Sequence, residues 1–491
     1  MANSLNALFF SAALHRNEAL TQHFKCLLAK NIRATLRYIM KKLSILNNNM
    51  DMVHGPLLKN IFIFALPLLF SNLLQIAFNA ADTIVVGKFS GQEALAAVGA
   101  TGPIVNLLIA MFNGLATGAN IIIAMQIGRK EKERVSTSVH TSYFLALAGG
   151  VILTFIGVFL SKTFLTWMGT PENILSQSTL YMQIYFAGSI PLLVYNFGSA
   201  ILRSKGDTVG PTVYMTISGV INIILNLVFV IGLKMGVSGV AIATVISETV
   251  SAILITLSLM RQNDSTKLYL NRLKPDDHLL MKIMQIGVPA GFQTMMWSIS
   301  NIAVQSSINS FGSVAVAGNS AAANIESFVY IGMMSFSECC ITFTSQCAGA
   351  GKKQRIRDVF TLIVVLEFIV AFGTSATLWR FGDFFLSFYT NDPGVINVGM
   401  IRMWYVVFWL FINAVLDVPA ASMRGMGYST TPTVVMLIGV VGVRLLYIST
   451  IFHAIHTLPT LYLCFPISWI ITTIPLMLIW LHYYRKFKGI D

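Results

Sequence analysis

Hydrophobic and polar positions alternate along this chain in long blocks. Twelve apolar stretches, at about residues 58–87, 95–127, 135–163, 176–204, 209–232, 238–261, 279–309, 314–348, 356–386, 395–423, 430–453 and 458–484, are separated by short polar breaks. Each is long enough to cross a bilayer as a helix, which takes about 20 residues. The pattern predicts an all-α polytopic membrane protein with 12 transmembrane helices. Against that background the polar positions stand out. In the first block, residues 65–91, Asn72, Gln75, Asn79 and Asp82 recur at helical spacing and share one face. A carboxylate and three amides on one stripe should face protein or water rather than lipid. Asp82 then reads either as an ion- or proton-coupling carboxylate or as a solvated group near the helix end.

Composition agrees: 55% of the 491 residues are hydrophobic and only 11% charged. The net charge of +13 would suggest nucleic acid in a soluble protein. Here the basic residues cluster in alternate loops, so topology accounts for them and no nucleic-acid partner is expected. The first set of loops carries nineteen Lys/Arg, among them Arg129, Lys130, Arg203, Lys205, Lys352 and Arg424; the other carries five, Lys88, Lys162, Lys234, Arg380 and Arg402. This bias puts both termini in the cytoplasm of a multi-pass cell-membrane protein. Residues 1–50 hold seven Lys/Arg and no spanning run. They read as a basic surface helix or as an upstream extension before a start at Met50 or Met52, and are expected to be dispensable. The five cysteines show no CxxC pair or metal spacing and read as reduced and structural.

The two halves repeat. ILRSKGDTVGPT (201–212) matches SMRGMGYSTTPT (422–433) at a shift of 221, FALP (64–67) recurs as IGVP (286–289), and Pro171 as Pro393. Six helices per copy, an even number, give both copies the same orientation. The expected architecture is two six-helix lobes, residues 51–261 and 279–491, related by a pseudo-two-fold along the membrane normal and joined by a linker, residues 262–278.

The entry helix FALPLLFSNLLQ, AADTIVVGK, ALAAVG (94–99), the loop glutamines Gln126 and Gln346, ILRSKGD, NIILN with GVSGVAIATVISE, and MRGMGYS resemble the multidrug and toxic compound extrusion (MATE) family over nearly everything but the first 50 residues. The resemblance implies a secondary antiporter, working alone as a monomer in the bilayer, that exports organic and often cationic small molecules in exchange for H⁺ or Na⁺. It implies no enzyme activity and no cofactor beyond that ion, and the only metal it admits is Na⁺ at Asp82. It further implies that Asp82, Asn222, Asn226 and Thr244 form a cation or proton site, with Asn196 nearby. Many relatives carry Asp where Asn226 stands, so the ion stays open. The alternative for these amides is interhelical hydrogen bonding alone.

Asp417 lies seven residues before Arg424, as Asn196 lies seven before Arg203, so the repeat places it on the mirror position of Asn196. The resemblance supports a cation-contact or coupling role for it, with a structural hydrogen bond as the alternative, and it is expected to shape substrate range more than ion coupling. With Gln75, Asn79, Met296, Trp297 and Glu326 it makes the expected substrate cavity, in which aromatic and methionine side chains suit flat cations. Glu248 and Glu367 are further buried acids, and Arg444 is expected to neutralise one of the intramembrane acids. No Walker A sequence is present, which argues against ATP hydrolysis. The histidines supply no catalytic set. A flippase or exporter of a lipid-linked or polysaccharide substrate is the alternative; it would need a strongly basic cavity, and Arg444 is nearly the only base available for one.

Overall fold

In hydrocarbon every backbone N–H and C=O must be paired within the chain, so apolar blocks of this length fold as helices. The computed structural model describes residues 50–489, and the described residues contain helices and no strand; the expectations for residues 1–49 lie outside them. The helices are α1 (Leu57–Phe89), α2 (Gln92–Gly128), α3 (Lys132–Trp167), α4 (Glu172–Ala187), α5 (Ser189–Ser204), α6 (Val209–Gly232) and α7 (Gly236–Met260). After the linker come α8 (Asp277–Asn309), α9 (Ser313–Gly349), α10 (Lys353–Arg380), α11 (Pro393–Gly425), α12 (Thr430–Phe452) and α13 (Leu458–Lys486).

Among the described residues, nine helices are long and apolar enough to span, ten if α4 and α5 count as one bent span. Helices α8 and α9, of 33 and 37 residues, bring the total to twelve. They are more polar because they carry the buried Gln293, Asn319 and Glu326, together with Asn301 and Glu338. The fold is therefore the all-α, twelve-helix bundle of two six-helix lobes.

Four expected single helices are interrupted, one of them, the block at 356–386, at Phe381, after which Gly382–Ser387 forms a separate short helix. The block at 176–204 breaks at Gly188 with a bend of 49° between α4 and α5. Pro191 lacks the N–H that would bond the carbonyl of Ala187, which frees the helix to bend there. Helix α11 passes through a π-helical turn at Met403–Val407, and α12 through two, at Leu437–Gly442 and Ile448–Phe452. Helix α6 ends in another, Leu227–Gly232, directly after Asn226. Such turns concentrate at functional positions.

The lobes are joined at one end. There α2 and α8 cross with their backbones in contact: a Cβ on Gly114 would lie 2.3 Å from the Gly291 nitrogen, and one on Gly118 2.6 Å from the Ile283 oxygen. Gly128 and Gly349 make the same close approach between α2 and α9. Asn120 Nδ2 donates to Thr342 Oγ1 (3.0 Å), Gln346 Nε2 donates to the Ser204 carbonyl (2.8 Å), and Arg203 lies 3.6 Å from Glu338. All of these fall toward the end that bears the α2–α3 and α9–α10 loops. Further from that end, Gln75 and Asn79 on α1 and Phe328 and Met334 on α9 are exposed.

Candidate functional site

In the first lobe, three helices meet at one carboxylate. Asn226, fully buried at the end of the regular part of α6, donates from Nδ2 to Asp82 Oδ1 on α1. The same amide nitrogen lies 3.0 Å from Asn222 Oδ1, one turn back, and Asn222 Nδ2 donates to Thr244 Oγ1 on α7 (3.4 Å). Helical i, i+4 spacing places Asn222 and Asn226 on one face, which is why a single strand of hydrogen bonds can run from α1 through α6 to α7.

One turn beyond Thr244, Glu248 presents a buried Oε2 with no hydrogen-bond partner, and Asn226 Oδ1 is likewise unpartnered. Among the described residues no Lys, Arg or His lies within ion-pair distance of Asp82 or Glu248. The donor set is hard oxygen throughout, which suits a proton or a monovalent cation and not a transition metal. Sequence reasoning left Glu248 outside the site; its spacing of four from Thr244 was the available signal. Asn196 does not join this cluster, since its Nδ2 donates to Asn113 Oδ1 on α2 (3.0 Å).

The second lobe has a different arrangement. A cavity of about 430 Å³ is bounded by α8, α9, α11, α12 and α13, and Trp297 and Glu326 both line it. Glu326 is not neutralised by Arg444. Its partner is Arg402, whose Nε and Nη2 donate to Glu326 Oε2 at 3.1 and 2.6 Å while Nη1 donates to Asn319 Oδ1 at 2.6 Å. Arg402 is 7% exposed, so it is a buried ion-pair partner and not the loop charge that the count assumed. Arg444 instead donates from Nη1 to Ser300 Oγ and Asn301 Oδ1, both at 3.4 Å, and lies 4.3 Å from the Phe465 ring centre.

Met296 sits beside Trp297 on α8 but does not line this cavity. Asp417 lies one turn beyond the cavity residue Asn413. It accepts a 2.6 Å hydrogen bond from Ser337 Oγ, which is also 3.2 Å from Glu367 Oε1. Gln75 and Asn79 remain on the exposed stripe of α1. A larger hollow of about 1090 Å³ lies at the joined end, lined by Arg129, Lys282 and Tyr428 among others, and holds none of these candidate residues.

The comparisons with known proteins bear on this pair of sites. The family model MatE matches the chain twice, over residues 67–228 and 289–449. The chain belongs to the MatE family. The two matches, offset by 222 residues at their starts, repeat the half-to-half correspondence read from the sequence. The chain is 31% identical to the "Probable multidrug resistance protein YoeA" of Bacillus subtilis, over 79% of its own length and 85% of the relative's. To the "Probable multidrug resistance protein NorM" of Thermotoga maritima it is 24% identical over 79% and 84%. A structure described as "Crystal structure of MATE in the bent conformation" superposes with a TM-score of 0.84 at 21% identity, over 89% of this chain and 97% of that one. This MatE protein is therefore a multi-pass membrane transporter of the drug-efflux type and not an enzyme.

Proposed function

We propose that this MatE protein is a secondary antiporter of the cell membrane that exports organic compounds in exchange for H⁺ or Na⁺ bound at Asp82. The observation that carries the reading is the Asp82 cluster: a half-buried carboxylate with no basic partner among the described residues, tied by amides to two other helices. An ionised Asp82 holds the Asn226 amide by a charge-assisted hydrogen bond. Adding a proton removes that charge and weakens the tie between α1 and α6. A cation has instead the Asp82 carboxylate and, with the Asn226 amide turned over, the Asn226 oxygen to meet. Either event changes how α1 packs on α6, and the π-helical turn after Asn226 provides a place for the change. An ion that binds one packing better than the other shifts the population of the two lobe arrangements.

Removing Arg402 from the charge count leaves nineteen loop cations against four, which keeps both termini and the linker in the cytoplasm. The joined end then faces the cytoplasm, and the lobes open outward. The test is transport by the full chain reconstituted in vesicles, with pH and Na⁺ gradients imposed separately and export of a fluorescent drug followed. Export that depends on one of the two gradients is expected; export indifferent to both overturns the reading.

A second reading, a flippase or exporter of an anionic lipid-linked substrate, gains from one observation. Two arginines, Arg402 and Arg444, line the second-lobe cavity. Vesicles carrying a labelled lipid-linked substrate in place of the drug separate the two readings.

A further inference from the structure

The second-lobe cavity is the repeat mate of the Asp82 cluster, with its charge reversed. A shift of 222 carries Asp82 to Val304 and Asn222 to Arg444. A shift of 221 carries Thr244 to Phe465, Glu248 to Trp469, and Tyr181, an α4 residue that shares a buried cluster with Val85 and Val86 of α1, to Arg402. These five mates line the cavity; that of Asn226, Ile448, does not. Two acids have been replaced by apolar side chains, and two neutral polar groups by arginines. The one-residue change of shift on α12 coincides with the π-helical turn Leu437–Gly442, which has no counterpart before Asn222 and admits one extra residue.

The cavity holds a net positive charge that the protein does not answer. Glu326 is spent on Arg402, whose guanidinium is bonded through all three nitrogens. Arg444 is 4% exposed and meets no carboxylate among the described residues. Its Nε is buried without a partner, its two hydrogen bonds are long, and the buried Trp297 Nε1 also lacks a partner. A guanidinium keeps its proton in any protein environment. A buried charge that can neither be shed nor paired calls for a counter-charge from outside.

We propose that this cavity is an organic-anion site, in which Arg444 binds the carboxylate, sulfonate or phosphate group of an aromatic compound. The Trp297 N–H gives a second donor, and Phe465, Trp469 and Tyr330 give ring faces for the aromatic body. The volume of about 430 Å³ falls within the usual range for small-molecule pockets, about 300–1,000 Å³. The proposal names the substrate class of the site described above and rests on the transport reading only for the claim that the occupant is cargo.

The test is binding of two xanthene dyes of opposite charge, fluorescein and rhodamine 6G, to the purified full chain by fluorescence anisotropy at pH 7.5. Wild type is expected to bind fluorescein at least about tenfold more tightly than rhodamine 6G. Arg444→Gln should lower fluorescein affinity at least about tenfold and leave rhodamine 6G unchanged. Asn301→Asp places a carboxylate beside Arg444 at an exposed position and should have the same effect, which covers the case in which Arg444→Gln does not fold. Benzoate should displace the dye; displacement by phosphatidylglycerol alone would assign the site to a lipid headgroup and overturn the proposal. Preference for rhodamine 6G in wild type, or unchanged fluorescein binding in folded Asn301→Asp, would also overturn it. If fluorescein binds as expected but no gradient moves it in vesicles, the antiport reading fails and the anion site stands.

Discussion

Arg402 and Glu326, 76 residues apart in the sequence, meet at 2.6 Å with both side chains buried. Removing one partner of such a pair leaves an unanswered charge, which costs about 3–5 kcal/mol, whereas replacing both by apolar residues is often near neutral. Glu326→Ala should therefore lower the thermal unfolding midpoint in detergent markedly. Glu326→Leu combined with Arg402→Met should restore most of it. A double variant no more stable than the single one would mean that the pair contributes through the hydrogen bonds to Asn319 and not through its charges.

The Gly114–Gly291 and Gly118–Gly287 approaches leave no room for side chains where α2 crosses α8. A Cβ on Gly287 would lie 2.6 Å from Leu115 Cα and 2.8 Å from the Gly114 oxygen. Gly287→Leu should hold the lobes apart at this end and stop cycling between states. Spin labels at Lys130 and Lys352, in the two loops flanking the seam, should then report a longer distance than in wild type. Gly373→Leu on α10, where a Cβ meets nothing within 4 Å, is the control. An unchanged distance in Gly287→Leu would show that the seam can absorb the side chain.

Outside the membrane, Asp264 in the linker takes a hydrogen bond from Lys205 Nζ at 2.8 Å. Partial burial raises its pKa, but the bonds from Lys205 and Thr266 outweigh this and hold it below the usual aspartate value. A carboxylate with a lowered pKa stabilises the fold above the unfolded value of about 3.9. That stabilisation is lost as pH falls through the lower, folded value. With the Asp264 side chain 51% exposed, solvent screening keeps the contribution under about 1 kcal/mol. Asp264→Asn should lower the unfolding midpoint slightly at pH 7, and the difference from wild type should vanish at acid pH. A difference that grows on acidification would reverse the sign.

Some of this was legible from the chain because its signals are local. The spacing of Asn222 and Asn226 fixes a shared helix face, and the repeated ILRSKGD and SMRGMGY segments fix the relation of the halves. The Arg402–Glu326 pair was not legible. Arg402 lies near the end of its apolar block, where an arginine reads as a loop charge, and only the packing of α11 against α9 shows that it is buried. For the same reason Arg444 was expected to neutralise one of the intramembrane acids, whereas it meets no carboxylate among the described residues. The bend at Gly188 and the π-helical turns in α11 and α12 leave the hydrophobic pattern unchanged, so that pattern reads straight through them.

Asp82 remains the residue on which export should turn. The sequence puts it on the one strongly polar stripe of α1, and the fold brings Asp82 itself against α6, where Asn226 donates to it, while Gln75 and Asn79 of the same stripe stay exposed. Among the described residues no cation pairs with it, so its charge is free to be answered by a transported ion. Asparagine keeps the shape and a hydrogen-bonding oxygen, but it cannot titrate and is a poorer cation ligand. Asp82→Asn should fold, bind substrate in detergent with near wild-type affinity, and lose gradient-driven export at least about tenfold, the equivalent of about 1.4 kcal/mol. Glu248→Gln, one helix away with its unpartnered oxygen, should lower export less, because Glu248 takes no part in the hydrogen bonds that join α1 to α6. The measurement is export in vesicles under each gradient, beside dye binding and the unfolding midpoint of the same preparations. Near wild-type export by Asp82→Asn would move the coupling role to Glu248 or to the Asp417–Glu367 pair, the other intramembrane acids without an ion-pair partner among the described residues.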